Sequence, residues 1–362
     1  MDKRYRVIDL FAGVGGIRLG FEQAGSVETV FSAEIDKYAC QTYLANFGES
    51  PMCDLTKVSD DDIKNIPDFH ILLAGFPCQA FSIAGRKGGF EDTRGTLFFD
   101  VARILKIRRP PAFLLENVKG LTHHDKGKTF KTILNTLENE LGYTVHYRVL
   151  NSKEFGAPQK RERIYIVGFD GDPPFAFPKP KGATKKVKDV FEKREVSSKF
   201  YLSQRYYDTL IEHKNRHADK GNGFGYEILD PNDVANAIVV GGMGKERNLV
   251  IDKRLTDFTP KTNIVGEINS SYVRRLTPRE WARLQGFPDS FVIPVSDTQA
   301  YKQFGNSVSV PVVKAIAKQL LTSLDKLQAG KIWEKEISGS GASYTPSLSY
   351  SAKGSYTPAT PT

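Results

Sequence analysis

The sequence predicts an α/β protein: a doubly wound, mostly parallel sheet carrying a smaller, loop-rich second domain. Three observations predict it. Short apolar runs alternate with helical segments up to about Phe169, glycine turns and acidic residues stand at the ends of those runs, and the texture changes abruptly after Pro173. At 362 residues the chain can bury a large core and close a site against a second unit.

The strands are the apolar runs Arg6 to Phe11, Thr29 to Ala33, Ile71 to Gly75, Ala112 to Leu115 and Arg163 to Phe169, each bounded by Gly, Pro or charge. Helical stretches near Ile17 to Gln23, Lys37 to Asn46, Thr96 to Ile107 and Thr129 to Leu141 fill most of the gaps between them. Pro173, Pro174, Pro178 and Pro180 then break any long element, and Lys179 to Arg194 holds seven basic against two acidic residues. From Tyr201 to Asn269 the chain is polar and glycine-broken, reading as turns among short strands. Leu276 to Leu284 is helical, and Val310 to Leu327 is an amphipathic helix that packs back on the first domain. The expected division is a catalytic domain 1–178, a small recognition domain 179–295, a return segment 296–328 and a flexible tail 329–362. Within that tail Ser343-Tyr344-Thr345-Pro346 recurs as Ser355-Tyr356-Thr357-Pro358, a composition too poor in apolar surface to fold.

A net charge of +9 favours a polyanionic partner, although plain solubility explains it nearly as well. Cys40, Cys53 and Cys78 are odd in number and form no C-x-x-C pair, which argues against a disulfide framework or a thiolate zinc site and suits a reducing cytoplasm. No apolar stretch approaches the roughly 18 residues of a membrane span.

Four segments carry chemistry. Asp9-Leu10-Phe11-Ala12-Gly13-Val14-Gly15-Gly16 runs from a strand through a glycine turn into a helix, where backbone and helix N-terminus can approach a carboxylate or phosphate. Its G-x-G-G spacing departs from the dinucleotide fingerprint, and an ordinary tight turn explains it as well. Glu34 ends the next strand, where an acidic side chain hydrogen-bonds ribose hydroxyls in nucleotide folds. Cys78, in Phe76-Pro77-Cys78-Gln79, stands at a strand's C-terminal end and is placed to act as a nucleophile, whereas Cys40 and Cys53 suit the core. Glu116 in Leu115-Glu116-Asn117 also ends an apolar strand; poor solvation there raises its proton affinity until it can donate, unless it is a salt-bridged surface acid. Finally, Gln159-Lys160-Arg161-Glu162-Arg163 puts two guanidiniums on one strand face, lining a cleft or merely meeting solvent.

In order, identity and spacing these segments, with Gly305-Asn306-Ser307, resemble the 5-methylcytosine DNA methyltransferases of bacterial type II restriction-modification systems, over nearly all of residues 5 to 325. The resemblance implies the Rossmann-like fold of S-adenosylmethionine-dependent methyltransferases. It implies that Cys78 adds to C6 of a flipped-out cytosine, that Glu116 contacts and protonates N3, that Arg163 holds O2, and that Arg161 supports the site. For S-adenosyl-L-methionine, leaving as S-adenosyl-L-homocysteine, it implies Phe11, Gly13 and Gly15 around the methionine part. Glu34 would take the ribose and Asp54 the adenine amine, with Ile35, Leu55, Pro77 and Leu97 in apolar contact and Asn306 and Ser307 closing the pocket. Ile35 stands where several relatives carry Trp, so adenine would meet an aliphatic side chain. No metal is implied. The partner is double-stranded DNA met by a monomer in the nucleoid-bearing cytoplasm, with a cognate restriction endonuclease as a functional, not physical, partner and no membrane.

Target extrusion is required because a stacked base exposes neither face of C6. The family's loop corresponding to residues 79–94 folds over DNA, which would bring Gln79 and Ser82 to the displaced stack and Arg94 to phosphate. The stretch Ala235 to Asn248 resembles that of HpaII-type enzymes, which modify the inner cytosine of CCGG; Lys245 and Arg247 would meet guanine edges or phosphates. An NAD-dependent dehydrogenase would leave Cys78 and Arg163 idle. An RNA cytosine-5 methyltransferase and a catalytically silent, sequence-specific DNA-binding module remain the alternatives.

Overall fold

A computed structural model of the chain describes residues 4–77, 97–182, 185–259, 261 and 266–339. Its centre is a six-stranded sheet of β1 (Tyr5–Leu10), β2 (Val27–Ala33), β3 (Ile71–Gly75), β4 (Ala112–Val118), β5 (Thr144–Asn151) and β7 (Glu162–Phe169), in the order β2-β1-β3-β4-β7-β5. The first three pairings from β2 to β4 are parallel; β7 runs antiparallel to both β4 and β5. This is the mostly parallel α/β sheet expected.

Alternation along the strands sends side chains to two opposite cores. Ile8, Leu10, Leu72, Phe113, Leu115 and Ile166 face a cluster built with α4 (Leu97–Arg108) and α5 (Lys128–Asn135), the latter widening into a π turn at Thr136–Glu140. Val7, Ile71, Leu73, Leu114 and Val167 face the other side, where α1 (Gly16–Glu22) and α9 (Val310–Gly339) lie. Helices α1 and α9 touch at Gly20, where an added Cβ would lie 2.6 Å from Val313 Cγ1. The amphipathic C-terminal helix thus packs on the sheet as expected, but continues to Gly339, past Leu327. On the β2 side, α2 (Lys37–Phe47) starts at the N-cap Asp36, and α3 (Asp60–Asn65) carries a Ser59–Asp62 capping box.

A third core gathers around Trp281, Phe287, Phe291 and Phe304, joining α7 (Pro278–Leu284) and α8 (Asp297–Asn306) to Val187, Leu229, Ala235 and Ile238. The short strands β6 (Gln159–Lys160) and β8 (Ala235–Asn236) pair in parallel there, while β9 (Leu249–Ile251) and β10 (Val273–Arg275) pair antiparallel beyond them. Two elements depart from the sequence reading. Residues 204–218, read as turns and short strands, form α6 (Gln204–Ala218), which buries only Leu210, against Leu202, Leu249 and Val273; so thin an apolar stripe leaves little helical periodicity to see. Strand β5 is an edge strand whose Tyr147 and Arg148 face solvent, so no apolar run announces it. Among the described residues no helix is long and apolar enough to cross a membrane.

Candidate active site

The C-terminal ends of the parallel strands β1 to β4 and the start of the antiparallel β7 lie at one end of the sheet. After Leu10 the chain enters the left-handed region at Phe11 (φ +52°), Gly13 (φ +55°) and Gly15 (φ +81°). For a phenylalanine that conformation costs roughly 1–3 kcal/mol, and strain of this kind concentrates where a side chain must be aimed at a ligand. The turn is tied to the next strand: Ala12 N–H donates to the Ala33 carbonyl (3.0 Å) and Gly13 N–H to Glu34 Oε2 (2.8 Å). Glu34 Oε1 accepts the N–H groups of Ile35 (2.8 Å) and Asp36 (2.7 Å), so one carboxylate ties together the glycine turn and the start of α2. Asp54 caps a short 3₁₀ turn at Leu55–Lys57, accepting from Thr56 N (3.1 Å) and Thr56 Oγ1 (2.7 Å).

From β3 the chain passes Phe76 and Pro77. Asn117 Nδ2 donates to the Phe76 carbonyl (2.7 Å) and so braces the backbone just ahead of position 78. Cys78 lies outside the described residues, as do Gln79, Ser82 and Arg94. Glu116, near the end of β4, is 9% exposed, and Arg163 Nε approaches its Oε1 at 3.3 Å. Burial raises the proton affinity of Glu116 above the ordinary carboxylate value; Arg163 and Arg161 oppose the rise without cancelling it. Arg161 is almost fully buried and donates to three carbonyls, those of Ile238 (2.7 Å), Gly305 (3.1 Å) and Ser307 (2.7 Å).

These groups line one cavity of roughly 820 Å³, within the size range of cofactor and substrate pockets. Phe11, Gly13, Glu34, Ile35, Asp54 and Leu55 line it. Pro77, Glu116, Arg161, Arg163, Leu97, Asn306 and Ser307 line it as well. Ile35 is 68% exposed, at the mouth. Gly15 is the exception: it lies behind the wall, where a Cβ would strike Phe47 at 2.2 Å, and its neighbour Gly16 takes the place on the lining. Arg161 and Arg163 both border the cavity, Arg163 from β7 and Arg161 from the position just before that strand.

The stretch Ala235 to Asn248 meets this cavity at Val240, which lines it. Gly241 (φ +82°) and Gly242 (φ +52°) turn the chain after it, leaving Val239 and Val240 largely exposed. Arg247 is exposed, whereas Lys245 is half-buried with its Nζ 4.3 Å from the Tyr301 ring centroid; burial lowers its proton affinity.

Sequence reasoning passed over several polar residues at the site. Asn117 and Gln159 were visible in the motifs without a role, and Gln285, which joins Gln159 (2.8 Å), carried no local signal. Asp9 is wholly buried, and neither carboxylate oxygen has a hydrogen-bond partner among the described residues; burial raises its proton affinity strongly.

The chain matches the family of C-5 cytosine-specific DNA methylases over residues 5–322. It is 58% identical to type II methyltransferase M.HpaII of Haemophilus parainfluenzae over 330 residues, covering 90% of this chain and 91% of that protein. Against type II methyltransferase M.SsoII of Shigella sonnei the identity is 51%, over 89% of this chain and 81% of that protein. The structure of the Entamoeba histolytica methyltransferase EhMeth shares the fold with a TM-score of 0.70 at 19% identity, over 89% of this chain and 99% of that one. That of the S. pombe Dnmt2 methyltransferase does so with a TM-score of 0.66 at 21% identity, again over 89% and 99%.

Proposed function

Because this chain belongs to the C-5 cytosine-specific DNA methylase family and is a cytosine-5 DNA methyltransferase, we propose that it modifies the inner cytosine of CCGG in double-stranded DNA, as a monomer, protecting that DNA from a cognate restriction endonuclease. S-adenosylmethionine, when bound, supplies the electrophilic methyl group. The cavity's donors suit it: Phe11, Leu55 and Ile35 offer apolar contact, Glu34 and Asp54 offer carboxylates for ribose and adenine, and Asn306 and Ser307 close the wall.

The remaining chemistry belongs to the chain. The Cys78 thiolate adds to C6 of the extruded cytosine while Glu116 gives its proton to N3, so that C5 becomes nucleophilic toward the methyl group. Arg163, already beside Glu116, holds O2. Loss of the C5 proton to a base and elimination across C5–C6 then free the Cys78 thiolate, and the N3 proton returns to the Glu116 carboxylate. Exclusion of bulk water is the task of the loop following Cys78. Arg247 and the turn at Val239–Gly244 face the DNA, and Lys245 approaches it when released from Tyr301.

The observation that supports this most is the meeting of Glu116, its proton affinity raised by burial, and Arg163 with the Phe11–Glu34 wall in one cavity. A base-resolution methylation map of DNA from cells expressing the chain tests it: 5-methylcytosine should mark the inner cytosine of CCGG. Methylation elsewhere refutes the sequence assignment. Label on transfer RNA but not on duplex DNA refutes the DNA substrate.

A further inference from the structure

Arg161 does more in this structure than border the cavity. Among the described residues its three acceptors are neutral backbone carbonyls, and Glu116 is engaged by Arg163 instead. A guanidinium buried without a directly paired carboxylate is costly, and its planar fork suits holding several carbonyls at set angles. Those carbonyls come from two distant places: Ile238 leads into the recognition turn, and Gly305 and Ser307 flank Asn306 on the cavity wall.

Gln159 grips the same two places. Its Oε1 accepts the Ile238 N–H (3.2 Å), and its Nε2 donates to the Leu284 carbonyl (2.9 Å) and to Gln285 Oε1 (2.8 Å). Gln285 Nε2 in turn donates to the carbonyls of Phe304 (2.8 Å) and Ser307 (3.1 Å). Ile238 is therefore held at both its N–H and its carbonyl. Two residues on, Val240 closes so tightly on Gly305 that a Cβ there would lie 2.7 Å from Val240 Cγ2. Helix α8 then reaches the cofactor side, through Lys302 Nζ to Asp36 Oδ2 (2.6 Å) and Thr42 Oγ1 to Gln303 Oε1 (2.9 Å), next to the Glu34–Ile35 wall.

We propose that Arg161 is a positioning residue that couples DNA reading to cofactor retention: engagement of the 239–244 turn is passed through its guanidinium to the Gly305–Ser307 wall. The inference rests on the proposed function, in which that turn meets DNA and that wall closes on S-adenosylmethionine. Neither segment can shift without breaking hydrogen bonds that the other shares, so the two move as one body.

Arg161→Lys tests it, because an ammonium keeps the charge but cannot hold three carbonyls in the fork's geometry. In the wild type, S-adenosylhomocysteine should bind about tenfold more tightly with a duplex carrying the mapped methylation site than with a scrambled duplex, and linkage requires the reciprocal gain for DNA. In R161K that ratio should fall to about twofold or less, whatever the change in affinity without DNA. Hydrogen exchange on the cofactor-free protein gives a second readout. The site duplex should protect both 239–244 and 304–308 in the wild type, but only 239–244 in R161K. Gly305→Ala, which pushes Val240 off the wall and leaves Arg161 intact, should keep both protections; loss of the 304–308 protection there assigns the coupling to the Val240 contact and overturns the role of Arg161, a test that stands even if R161K does not melt cooperatively. A folded R161K that keeps the full ratio and both protections overturns the clamp, as does a wild type in which DNA leaves the affinity unchanged. A wild type that binds no S-adenosylhomocysteine overturns the proposed function instead, and the exchange comparison still judges the clamp.

Discussion

Replacing Glu116 with Gln isolates one proton. The amide is nearly isosteric and keeps an oxygen for Arg163 Nε, which sits 3.3 Å from Oε1, so the contact survives while the acid is lost. A positioned general acid is typically worth 10²–10⁴-fold, so single-turnover methyl transfer should fall by about 3–5 kcal/mol of barrier. The pH dependence provides the sharper test. Burial, opposed by Arg163 and Arg161, leaves Glu116 with a raised proton affinity, so the acid form persists above the usual carboxylate range. The step that needs its proton should be fastest at low pH and decline as pH rises through that raised value, a limb that E116Q should lack. Stability follows the same sign. A carboxyl whose value is raised by folding favours the fold below its unfolded pKa, and that contribution is lost as pH rises through the folded value. E116Q should therefore melt no lower than the wild type at alkaline pH, which separates loss of chemistry from loss of fold. Transfer within tenfold of the wild type, or an unchanged pH limb, refutes the assignment of Glu116 as the N3 acid.

Cys78→Ser should cut turnover on the order of 10⁴-fold or more and abolish the covalent complex with a 5-fluorocytosine duplex on a denaturing gel; near-normal transfer would remove the thiolate from the mechanism. Gly20→Ala drives a methyl into Val313 and to 3.1 Å from Lys314 N, so it should destabilise by about 1–3 kcal/mol in denaturant melts while the cavity stays intact. Arg274→Met leaves buried Glu280 without its guanidinium (2.7 Å) and takes one of two guanidiniums from Asp252 (2.9 Å), and should cost about 3–5 kcal/mol in the same melts. Asp252 gives that network a pH signature: burial pushes its carboxyl up, but hydrogen bonds from Arg254 and the Arg274 charge outweigh it and hold the value at about 2. Its contribution is present above the unfolded carboxylate value and should vanish as pH falls through about 2, a dependence weakened but not abolished in Arg274→Met, where Arg254 remains.

How much of this was readable beforehand depended on where each signal lay. The run Ile71-Leu72-Leu73-Ala74 reads as a strand because both of its faces are buried, and Glu34, Glu116 and Arg163 stand out by ending or entering such runs. Helix α6 and strand β5 escaped because one buries a single side chain and the other lies at the sheet's edge. Asp9 sits among Val7, Ile8 and Leu10 with no local mark of its burial unpaired.

Residue identity and short-range periodicity thus determined the sheet's core, the strand-end placement of the chemical groups and the resemblance that joins them into one reaction. They act through neighbours a few positions apart, which is as far as a linear pattern reaches. Tertiary structure alone decided that β7 runs against β4, that Gly16 rather than Gly15 lines the cavity, and that Arg161 ends on carbonyls from Ile238, Gly305 and Ser307. Those outcomes turn on strand direction, turn handedness and the approach of segments up to 146 positions apart, and only the folded chain brings the partners within hydrogen-bonding distance.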